Sequence, residues 1–314
     1  MEKVLITGCA GFIGSHTAEK LLSEGYRVIG IDCFTDYYSR KQKEKNIKSL
    51  VNNKNFRMIE GDLNEINLKD ILSEVAYVFH VAAQPGVRQS FEMFSVYVKN
   101  NILATQRLLE CTKDSRIKKF IYSSSSSVYG NTKQLPIKET APLRPISPYG
   151  VTKLAGENLC YAYQKNYNIP LIILRYFTVY GPRQRPDMAF HNFIKSIFKE
   201  RYIEIYGDGE QTRDFTYITD VVNANILAMK SGITGAFNIG GNKSISINDV
   251  IKIMERLIGK KARIRYIDAE KGDVLHTKAD TNKANNYLDY RPRISIEDGL
   301  KKEIDWILLE HKIH

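Results

Sequence analysis

The stretch SPYGVTK places a tyrosine and a lysine, Tyr149 and Lys153, four positions apart and just after a proline. Proline at the first helical position, followed by good helix formers, predicts a helix start, and residues four apart share one helical face. A phenol beside an ammonium group is a pair that can move a proton. The same spacing is also typical of solvated helix surfaces, so the pair alone does not establish chemistry.

A second candidate site lies near the amino terminus, where TGCAGFIG spaces Gly8, Gly11 and Gly14 as GxxGxxG. Glycines let a backbone approach a pyrophosphate closely, and the amides of a following helix point at the anion. The loop follows one predicted strand, and Asp32 ends the next. A carboxylate there accepts hydrogen bonds from a ribose diol and repels a 2′-phosphate. The pattern therefore predicts a dinucleotide site that prefers NAD to NADP.

Two further polar stretches follow predicted strands. GDL places Asp62 after the third strand, where adenine usually lies, although Asp after Gly is also a common turn pair. YSSSSSVYG, residues 122–130, supplies five serines at the end of another strand. The carboxyl ends of strands in a doubly wound sheet face the ligand crevice, so this run is predicted to offer a hydroxyl to a bound alcohol.

A nicotinamide site would give Tyr149 and Lys153 a specific chemistry. The pKa of an ordinary tyrosine is near 10, which makes it a poor base at neutral pH. A lysine cation about 4 Å away contributes on the order of 4 kcal/mol at an effective dielectric near 20, enough to lower the pKa of the phenol. We therefore expect a tyrosinate that removes a proton from an alcohol while hydride leaves the same carbon.

The elements that position these residues alternate regularly in the first half of the chain. Short apolar runs predict buried strands, and segments such as IGSHTAEKLLSEG predict amphipathic helices that end at glycine. The predicted strands are KVLIT (3–7), YRVIGI (26–31), AYVFHVA (76–82), KKFIYSS (118–124) and PLIILRY (170–176). This rhythm predicts an α/β fold with a doubly wound parallel sheet, covered by helices on both faces.

The rhythm changes after about residue 180. Proline and glycine punctuate YGPRQRPDMA and IYGDGEQTRDFTYI, and helical patterns follow at INDVIKIMERLIG and SIEDGLKKEIDWILLE. No segment is rich enough in glycine or serine to act as an independent linker. We expect residues 1–178 to form the NAD-binding domain. Residues 179–314 are expected to form mainly a smaller α/β substrate-binding lobe, with some crossing of the chain between the two.

Composition narrows the function classes. The formal net charge of +11 fits anionic ligands or nucleic acid, but no nucleic-acid-binding motif accompanies the basic runs, so nucleic acid is not expected. The four cysteines form no CxxC pair and the six histidines show no ligand spacing, which predicts reduced thiols and no metal site. The sequence shows no signal peptide and no apolar run of membrane-spanning length, so we expect a cytoplasmic protein without membrane contact.

Together the motifs resemble the extended short-chain dehydrogenases/reductases that modify nucleotide sugars. The segments that carry the resemblance span residues 4–280 and are TGCAGFIGS, DCF, GDL, HVAAQPGVRQS, SSSSSVYG, SPYGVTK, RYFTVYGPRQRPDMA, GDGEQTRDFTYITD and EKGDVLHTKAD. The resemblance implies a Rossmann-like amino-terminal domain, a smaller nucleotide-sugar lobe and a homodimer. By matching motif it assigns Tyr149 as the base, Lys153 as its partner and Ser125 as the hydroxyl that holds the substrate, with Ser126 as the alternative.

The resemblance also implies which residues contact the ligands. NAD is expected to contact Gly8, Gly11, Phe12, Ile13, Gly14, Asp32, Lys43, Asp62, Leu63, Ala82, Asn101, Tyr149, Lys153 and Tyr176. A UDP-sugar is expected to contact Arg88, Ser127, Thr178, Arg185, Ala189, Phe193, Arg213 and Asp273. Within this set, Arg213 in QTRDF is assigned to the diphosphate and Asp273 in EKGD to the uridine ribose region.

The residues before VYG distinguish the reactions of this family. The dehydratases carry an Asp-Glu pair there, and the decarboxylases of UDP-glucuronic acid usually carry Glu directly before Val. This chain has Ser126 and Ser127 in those places. Without a carboxylate, elimination loses its proton shuttle. The resemblance therefore favours plain 4-epimerisation, in which carbon 4 is oxidised by bound NAD, the 4-keto sugar rotates and hydride returns to its other face.

The segment RYFTVYGPRQRPDMA bears on the substrate. UDP-galactose epimerases usually have Asn at the position of Thr178, whereas Thr178 together with Arg185 looks like the UDP-glucuronic acid 4-epimerases. Oxidation of carbon 4 in a uronic acid gives a β-keto acid, which loses carbon dioxide unless its carboxylate is held out of alignment. A guanidinium fork and a hydroxyl can hold it. We therefore expect conversion of UDP-glucuronic acid to UDP-galacturonic acid.

Other substrates and another class of protein stay open. Thr277 is small where some epimerases of the family carry a bulky Tyr, which leaves room for an N-acetyl group and keeps UDP-N-acetylglucosamine as an alternative substrate. UDP-glucose is a further alternative substrate of a 4-epimerase. Decarboxylation of UDP-glucuronic acid is a second alternative reaction. An NAD-binding sensor without turnover also fits the glycine loop, although the complete set of Ser, Tyr and Lys argues against it.

Overall fold

A seven-stranded parallel sheet forms the centre of the computed structural model, which describes residues 1–268 and 272–311. Its strands are β1 (Lys3–Thr7), β2 (Arg27–Asp32), β3 (Phe56–Glu60), β4 (Tyr77–His80), β5 (Lys119–Ser125), β6 (Leu171–Tyr176) and β11 (Gly235–Ile239). Their order across the sheet is β3-β2-β1-β4-β5-β6-β11, and every neighbouring pair is parallel. The strand order changes direction between β1 and β4, at the point where doubly wound folds bind their ligands. The predicted fold class is confirmed.

Helices cover both faces of this sheet, which explains why its strands are continuous apolar runs. Alternate residues of β1 serve opposite faces, with Val4 and Ile6 in one buried cluster and Leu5 in the other. The first face is covered by α1 (Phe12–Ser23), α2 (Arg40–Val51) and α9 (Ile218–Lys230). The second face is covered by α3 (Leu68–Ser73), α6 (Ala104–Thr112) and α7 (Pro148–Tyr167).

Short helical turns lie at the carboxyl edge of the sheet. Between β4 and α6 the chain forms α4 (Gln89–Glu92), α5 (Phe94–Tyr97) and a π-helical turn at Val98–Leu103. A 3₁₀ turn at Ser126–Val128 follows β5. π-Helical turns are rare and are often found at functional sites. The turn at Val98–Leu103 therefore indicates a functional site at this edge of the sheet.

The smaller lobe is built from short strands and four helices. Its elements are β7 (Val179–Tyr180), α8 (Ala189–Phe198), β8 (Tyr202–Tyr206), β9 (Thr212–Asp214), β10 (Thr216–Tyr217), β12 (Ser244–Ser246), α10 (Ile247–Ile258), β13 (Arg263–Ile267), α11 (Asn282–Leu288) and α12 (Ile296–His311). The strand pairs are β7 with β10, β8 with β13 and β9 with β12. Helices α8, α10 and α12 pack on one another, and Ser246 and Gly259 cap α10 at its two ends.

The chain passes between the two parts of the molecule more than once. After β10 it returns to the main sheet as α9 and β11, and then enters the smaller lobe again. The division at residue 178 therefore stays a prediction about which part each segment mainly serves. Among the described helices, none has the length and apolarity needed to cross a membrane.

Candidate active site

The glycine loop between β1 and α1 leaves no room for side chains. Gly8 has a φ of +70°, and a Cβ atom there would lie 2.8 Å from the Cα atom of Ala82. A Cβ atom on Gly14 would lie 2.1 Å from the carbonyl oxygen of Gly8. Gly11 at the N-cap carries no side chain to bind the first amides of α1, which are left available for an anion. The loop is thus a cradle of the kind that holds a pyrophosphate.

Asp32 ends β2 at the same edge of the sheet. Its Oδ2 atom accepts a hydrogen bond from the Ala10 amide at 3.0 Å, and its Oδ1 atom accepts one from the Phe34 amide at 2.9 Å. Burial raises the pKa of Asp32, although the two amides and the nearby charge of Lys43 act in the opposite direction. The carboxylate is therefore held in one orientation at the position where dinucleotide folds bind a ribose diol.

A cleft of about 1160 Å³ runs along this edge of the sheet. It is lined by every residue that was predicted to contact NAD except Asn101, namely Gly8, Gly11, Phe12, Ile13, Gly14, Asp32, Lys43, Asp62, Leu63, Ala82, Tyr149, Lys153 and Tyr176. The glycine cradle, the oriented carboxylate and the extent of the cleft together fit NAD.

Asn101 lies behind this cleft rather than in its wall. The side chain is 1% exposed, and its Oδ1 atom accepts from the Gln84 amide at 2.6 Å. Its Nδ2 atom donates to the Gln84 carbonyl and to the Thr152 hydroxyl, both at 3.0 Å. The neighbouring Asn100 lines the cleft instead. In this arrangement the amide of Asn101 ties the loop after β4 to α7, and its contact with NAD stays a prediction.

Tyr149 and Lys153 occupy the first two turns of α7, as the sequence predicts. Ser147 caps the helix by accepting a hydrogen bond from the Gly150 amide at 3.1 Å, and proline fills the first helical position. Lys153 is 4% exposed and its Nζ atom donates to the Ser123 carbonyl at 2.7 Å. Tyr149 lines the floor of the cleft. The phenol and the ammonium group therefore share one face of α7 at the end of β5.

The pKa of the Tyr149 phenol is raised, although the sequence predicted a lowered one. Burial raises the pKa of this phenol, and the Ser125 hydroxyl and the Arg185 charge lower it only in part. Burial also lowers the pKa of Lys153 to about 8, against the opposing effect of Glu157. Desolvation therefore opposes the expected tyrosinate, whereas the Ser125 hydroxyl and the Arg185 charge favour it.

The serine run ends β5 beside the phenol. Ser125 is the serine whose hydroxyl interacts with Tyr149. Its Oγ atom also donates to the Ser127 hydroxyl at 3.0 Å and accepts from the Ser127 amide at 3.1 Å. Ser126 lines the adjoining cavity. Of the two serines that the sequence left open, the geometry favours Ser125.

A second cavity of about 2070 Å³ opens from the first and reaches the smaller lobe. Tyr149, Tyr176 and Ser124 line both. It contains seven of the eight residues that were predicted to contact the sugar nucleotide, namely Arg88, Ser127, Thr178, Arg185, Ala189, Phe193 and Asp273. The predicted hydride donor site and the predicted substrate site therefore meet at Tyr149.

Arg185 contacts two residues, Asp187 and Tyr37, that were not predicted from the sequence. Its Nε and Nη2 atoms donate to the two carboxylate oxygens of Asp187, each at 3.0 Å. The guanidinium carbon also lies 5.7 Å from the ring centroid of Tyr37, whose hydroxyl donates to Asp187 at 3.2 Å. Both partners line the second cavity. The spacing of Asp187 two residues after Arg185 was the available signal, whereas Tyr37 is remote in sequence.

Three residues predicted to contact the sugar nucleotide, Arg88, Asp273 and Arg213, do not all line the same cavity. The guanidinium of Arg88 stacks on the ring of Tyr206 at 3.7 Å and lies 3.7 Å from the Asp273 carboxylate. Arg213 donates instead to the Leu275 carbonyl at 3.1 Å and lines an adjoining cavity of about 610 Å³. Tyr206 and Asp273 border both spaces. Glu270 and Lys271, which belong to the EKGD motif, lie outside the described residues.

Thr277 does not line the cavities described above. It is buried, and its hydroxyl accepts a hydrogen bond from the Asp214 amide at 3.1 Å. The proposed space for an N-acetyl group therefore receives no support from the small size of this residue.

A doubly wound sheet with a glycine cradle on one side of its switch point, and a Tyr-x-x-x-Lys helix on the other, defines a dinucleotide-dependent protein of the short-chain dehydrogenase/reductase class. The chain belongs to the extended branch of that class, since residues 5–303 match the family model described as GDP-mannose 4,6 dehydratase.

Individual relatives share nearly the whole chain. A UDP-glucuronate 4-epimerase of Thermodesulfobacterium geofontis is 44% identical over 311 residues, which cover 98% of this chain and 96% of the relative. A protein of Bacillus subtilis named uncharacterized UDP-glucose epimerase YtcB is 45% identical, over 97% of this chain and 98% of the relative. The crystal structure of UDP-glucuronic acid 4-epimerase from Bacillus cereus, in complex with UDP-glucuronic acid and NAD, is 46% identical with a TM-score of 0.96 and covers 98% of this chain and 99% of that one.

Proposed function

We propose that the protein interconverts UDP-glucuronic acid and UDP-galacturonic acid with NAD as its resident cofactor. The observation that carries the proposal is the meeting of the two cavities at Tyr149, with Thr178 and Arg185 in the wall of the second. The relatives from Thermodesulfobacterium geofontis and Bacillus cereus are named for this reaction, and the latter was crystallised with both ligands.

The residues of the chain have separate tasks in this proposal. The glycine loop and Asp32 hold the pyrophosphate and a ribose of NAD, which when bound supplies reversible hydride transfer at carbon 4. Tyr149 takes the proton of the 4-hydroxyl group and later returns it. Ser125 holds the same oxygen in line. The buried Lys153 cation offsets the cost of forming a phenolate beside it.

In this reaction the protein must bind the negatively charged carboxylate of the uronic acid. Arg185 offers a planar fork to a carboxylate and Thr178 offers a hydroxyl. Because Asp187 already holds two nitrogens of Arg185, an incoming carboxylate competes with Asp187 for this guanidinium. Ser126 and Ser127 place no carboxylate where dehydratases keep their acid and base, which supports epimerisation despite the name of the family model.

A first experiment tests the reaction directly. Purified protein is incubated with UDP-glucuronic acid and catalytic NAD, and the products are followed by proton NMR. We expect UDP-galacturonic acid without UDP-pentose or UDP-4-keto-pentose. Conversion of UDP-glucose with no reaction of UDP-glucuronic acid would instead favour the second candidate, a UDP-glucose 4-epimerase, which the name of the Bacillus subtilis relative suggests.

Substitution of Arg185 by Met tests the carboxylate clamp. A bidentate hydrogen bond to a charged group contributes about 3 kcal/mol, so kcat/KM for UDP-glucuronic acid is expected to fall about 100-fold. The share of UDP-4-keto-pentose should rise because the β-keto acid is no longer held. Arg185→Lys keeps the charge and loses the fork, and should recover only part of the activity. Equal losses with UDP-glucose and UDP-glucuronic acid would rule out a clamp.

We further propose that the protein is a homodimer and acts in the cytoplasm without nucleic acid. The family resemblance supports the dimer. Light scattering during gel filtration should give a mass of about twice 36.0 kDa. A monomer at micromolar concentration would refute this part of the proposal and would leave the reaction untouched.

A further inference from the structure

A buried ion pair lies directly beneath the active site. Glu157 is 0% exposed and Arg175 on β6 is 2% exposed. The Nη2 and Nε atoms of Arg175 donate to the two oxygens of Glu157, at 2.6 Å to Oε2 and 2.9 Å to Oε1. Arg175 also donates to the Tyr129 hydroxyl at 2.8 Å, which in turn donates to Asn238 at 2.7 Å. Every strong polar contact of the pair is therefore made inside the protein.

The carboxylate of this pair reaches the strand end that builds the site. The Ser124 hydroxyl donates to the Oε1 atom of Glu157 at 2.5 Å. The residues on either side of Ser124 serve the two catalytic side chains, because the Ser123 carbonyl accepts from Lys153 and the Ser125 hydroxyl interacts with Tyr149. Glu157 thus holds the middle residue of a three-residue segment.

Glu157 also belongs to the same helical face as the catalytic pair. Tyr149, Lys153 and Glu157 follow one another at intervals of four along α7. Residues at this spacing lie one above another on a helix. Glu157 is therefore the acid one turn below the Lys153 ammonium group, in a region with little water to screen the two charges.

We propose that Glu157 is a positioning residue for catalysis, which fixes the β5 serines through Ser124 and keeps the Lys153 side chain in its charged form. Arg175 holds the Glu157 carboxylate in place for both tasks. The proposal rests on the proposed function, because it assigns a task in the same reaction.

The pH behaviour of Lys153 depends on all the groups around it. These groups include His80 on β4, Tyr122 on β5, Glu157 and Cys160 on α7, and Arg175 on β6, which is paired with Glu157. Tyr149 lies one turn before Lys153 on the same helical face. His80 is buried with a pKa lowered to about 3 and is therefore neutral at physiological pH. Glu157 is the first of the groups that raise the pKa of Lys153. Without its charge, the pKa of Lys153 should fall further below its present value of about 8.

The test is the pH profile of kcat/KM for UDP-glucuronic acid in the NAD-loaded protein. In Glu157→Gln, the alkaline limb should move to lower pH by about one unit, because Lys153 loses its proton earlier. Ser124→Ala keeps the charge of Glu157, so its kcat should fall while its alkaline limb stays at the position of the unchanged protein. This contrast separates the two tasks of Glu157.

A second variant guards against misfolding. Glu157→Gln leaves Arg175 buried without a partner, which can unfold a protein, whereas replacing both members of a buried pair is often tolerated. The double variant Glu157→Gln with Arg175→Met should therefore fold, which circular dichroism would check. Its alkaline limb should move in the same direction but by less, because loss of the Arg175 cation partly offsets loss of the Glu157 charge. An alkaline limb at the original pH in the folded double variant would overturn the proposal.

A readout that is independent of turnover completes the test. Lysine labelled with ¹³C at Cε reports its own titration by NMR, and Lys153→Met identifies the resonance. In the NAD-loaded protein this titration should move to lower pH in the double variant. An unchanged titration would refute the role of Glu157 even if the protein used another substrate, whereas failure of the unsubstituted protein to epimerise UDP-glucuronic acid would refute only the proposed function.

Discussion

Replacement of Tyr149 by Phe should lower kcat for UDP-glucuronic acid about a thousandfold while NAD still binds. General acid and base catalysis by a positioned side chain contributes between about a hundredfold and ten-thousandfold, and phenylalanine has no hydroxyl to take up or return the proton. The ring itself remains, so its edge contact with Tyr97, with ring centroids 6.4 Å apart, is kept. NMR detection of UDP-galacturonic acid and calorimetric titration with NAD would measure the two effects.

A matched control lies on the same helix. Tyr163 is also on α7, but it lies near the carboxyl end of the helix, does not line the cleft, and donates its hydroxyl to Glu110 at 2.6 Å. Tyr163→Phe should leave kcat unchanged. Retention of more than a tenth of the activity in Tyr149→Phe would show that another group moves the proton. A protein without turnover in both its unchanged and substituted forms would instead be an NAD-binding sensor.

Substitution of Gly14 by Ala should lower the affinity for NAD by roughly 10- to 100-fold. The new Cβ atom would lie 2.1 Å from the Gly8 carbonyl oxygen and 2.9 Å from the Cα atom of Cys9, so α1 and the loop must move apart. Overpacking of this kind costs roughly 1–3 kcal/mol, and here the displacement falls on the amides that face the pyrophosphate. Calorimetric titration with NAD measures the affinity, and thermal unfolding without NAD measures the separate loss of stability.

Another glycine provides the comparison. A Cβ atom on Gly232 would meet no heavy atom within 4 Å, and its φ lies outside the left-handed region. Gly232→Ala should therefore keep the affinity for NAD. If Gly14→Ala bound NAD as tightly as Gly232→Ala, the cofactor would not lie against this loop, and the assignment of the cleft would have to change.

The patterns that the sequence predicted correctly are local ones. Continuous apolar runs identified five strands of the main sheet, because a strand buried on both faces has no polar side. The start of α7 and the shared face of Tyr149 and Lys153 followed from a proline and a helical repeat. Gly8 and Gly14 were recognisable because their conformation and packing exclude every larger residue at those positions.

The features that the sequence left undecided depend on contacts between remote segments. The choice of Ser125 within five identical residues required the position of Tyr149 relative to the end of β5. The family resemblance assigned Asn101 to the cofactor, and only the structure shows that its amide reaches Gln84 and Thr152. Tyr37, on a loop far from Asp187 in sequence, became visible as a partner only when both loops met at the cleft.

The sequence by itself determined the fold class, the glycine cradle and the shared helical face of Tyr149 and Lys153, because each follows from residue type and spacing along the chain. Tertiary structure alone decided the direction in which the pKa values of Tyr149 and Lys153 shift. The raised pKa of Tyr149 and the lowered pKa of Lys153 result from burial, which depends on how β5, β6 and α7 pack. The same packing brings Arg175 to Glu157 from 18 residues away. Desolvation and the pairing of buried charges are properties of the assembled interior, so no local pattern encodes their balance.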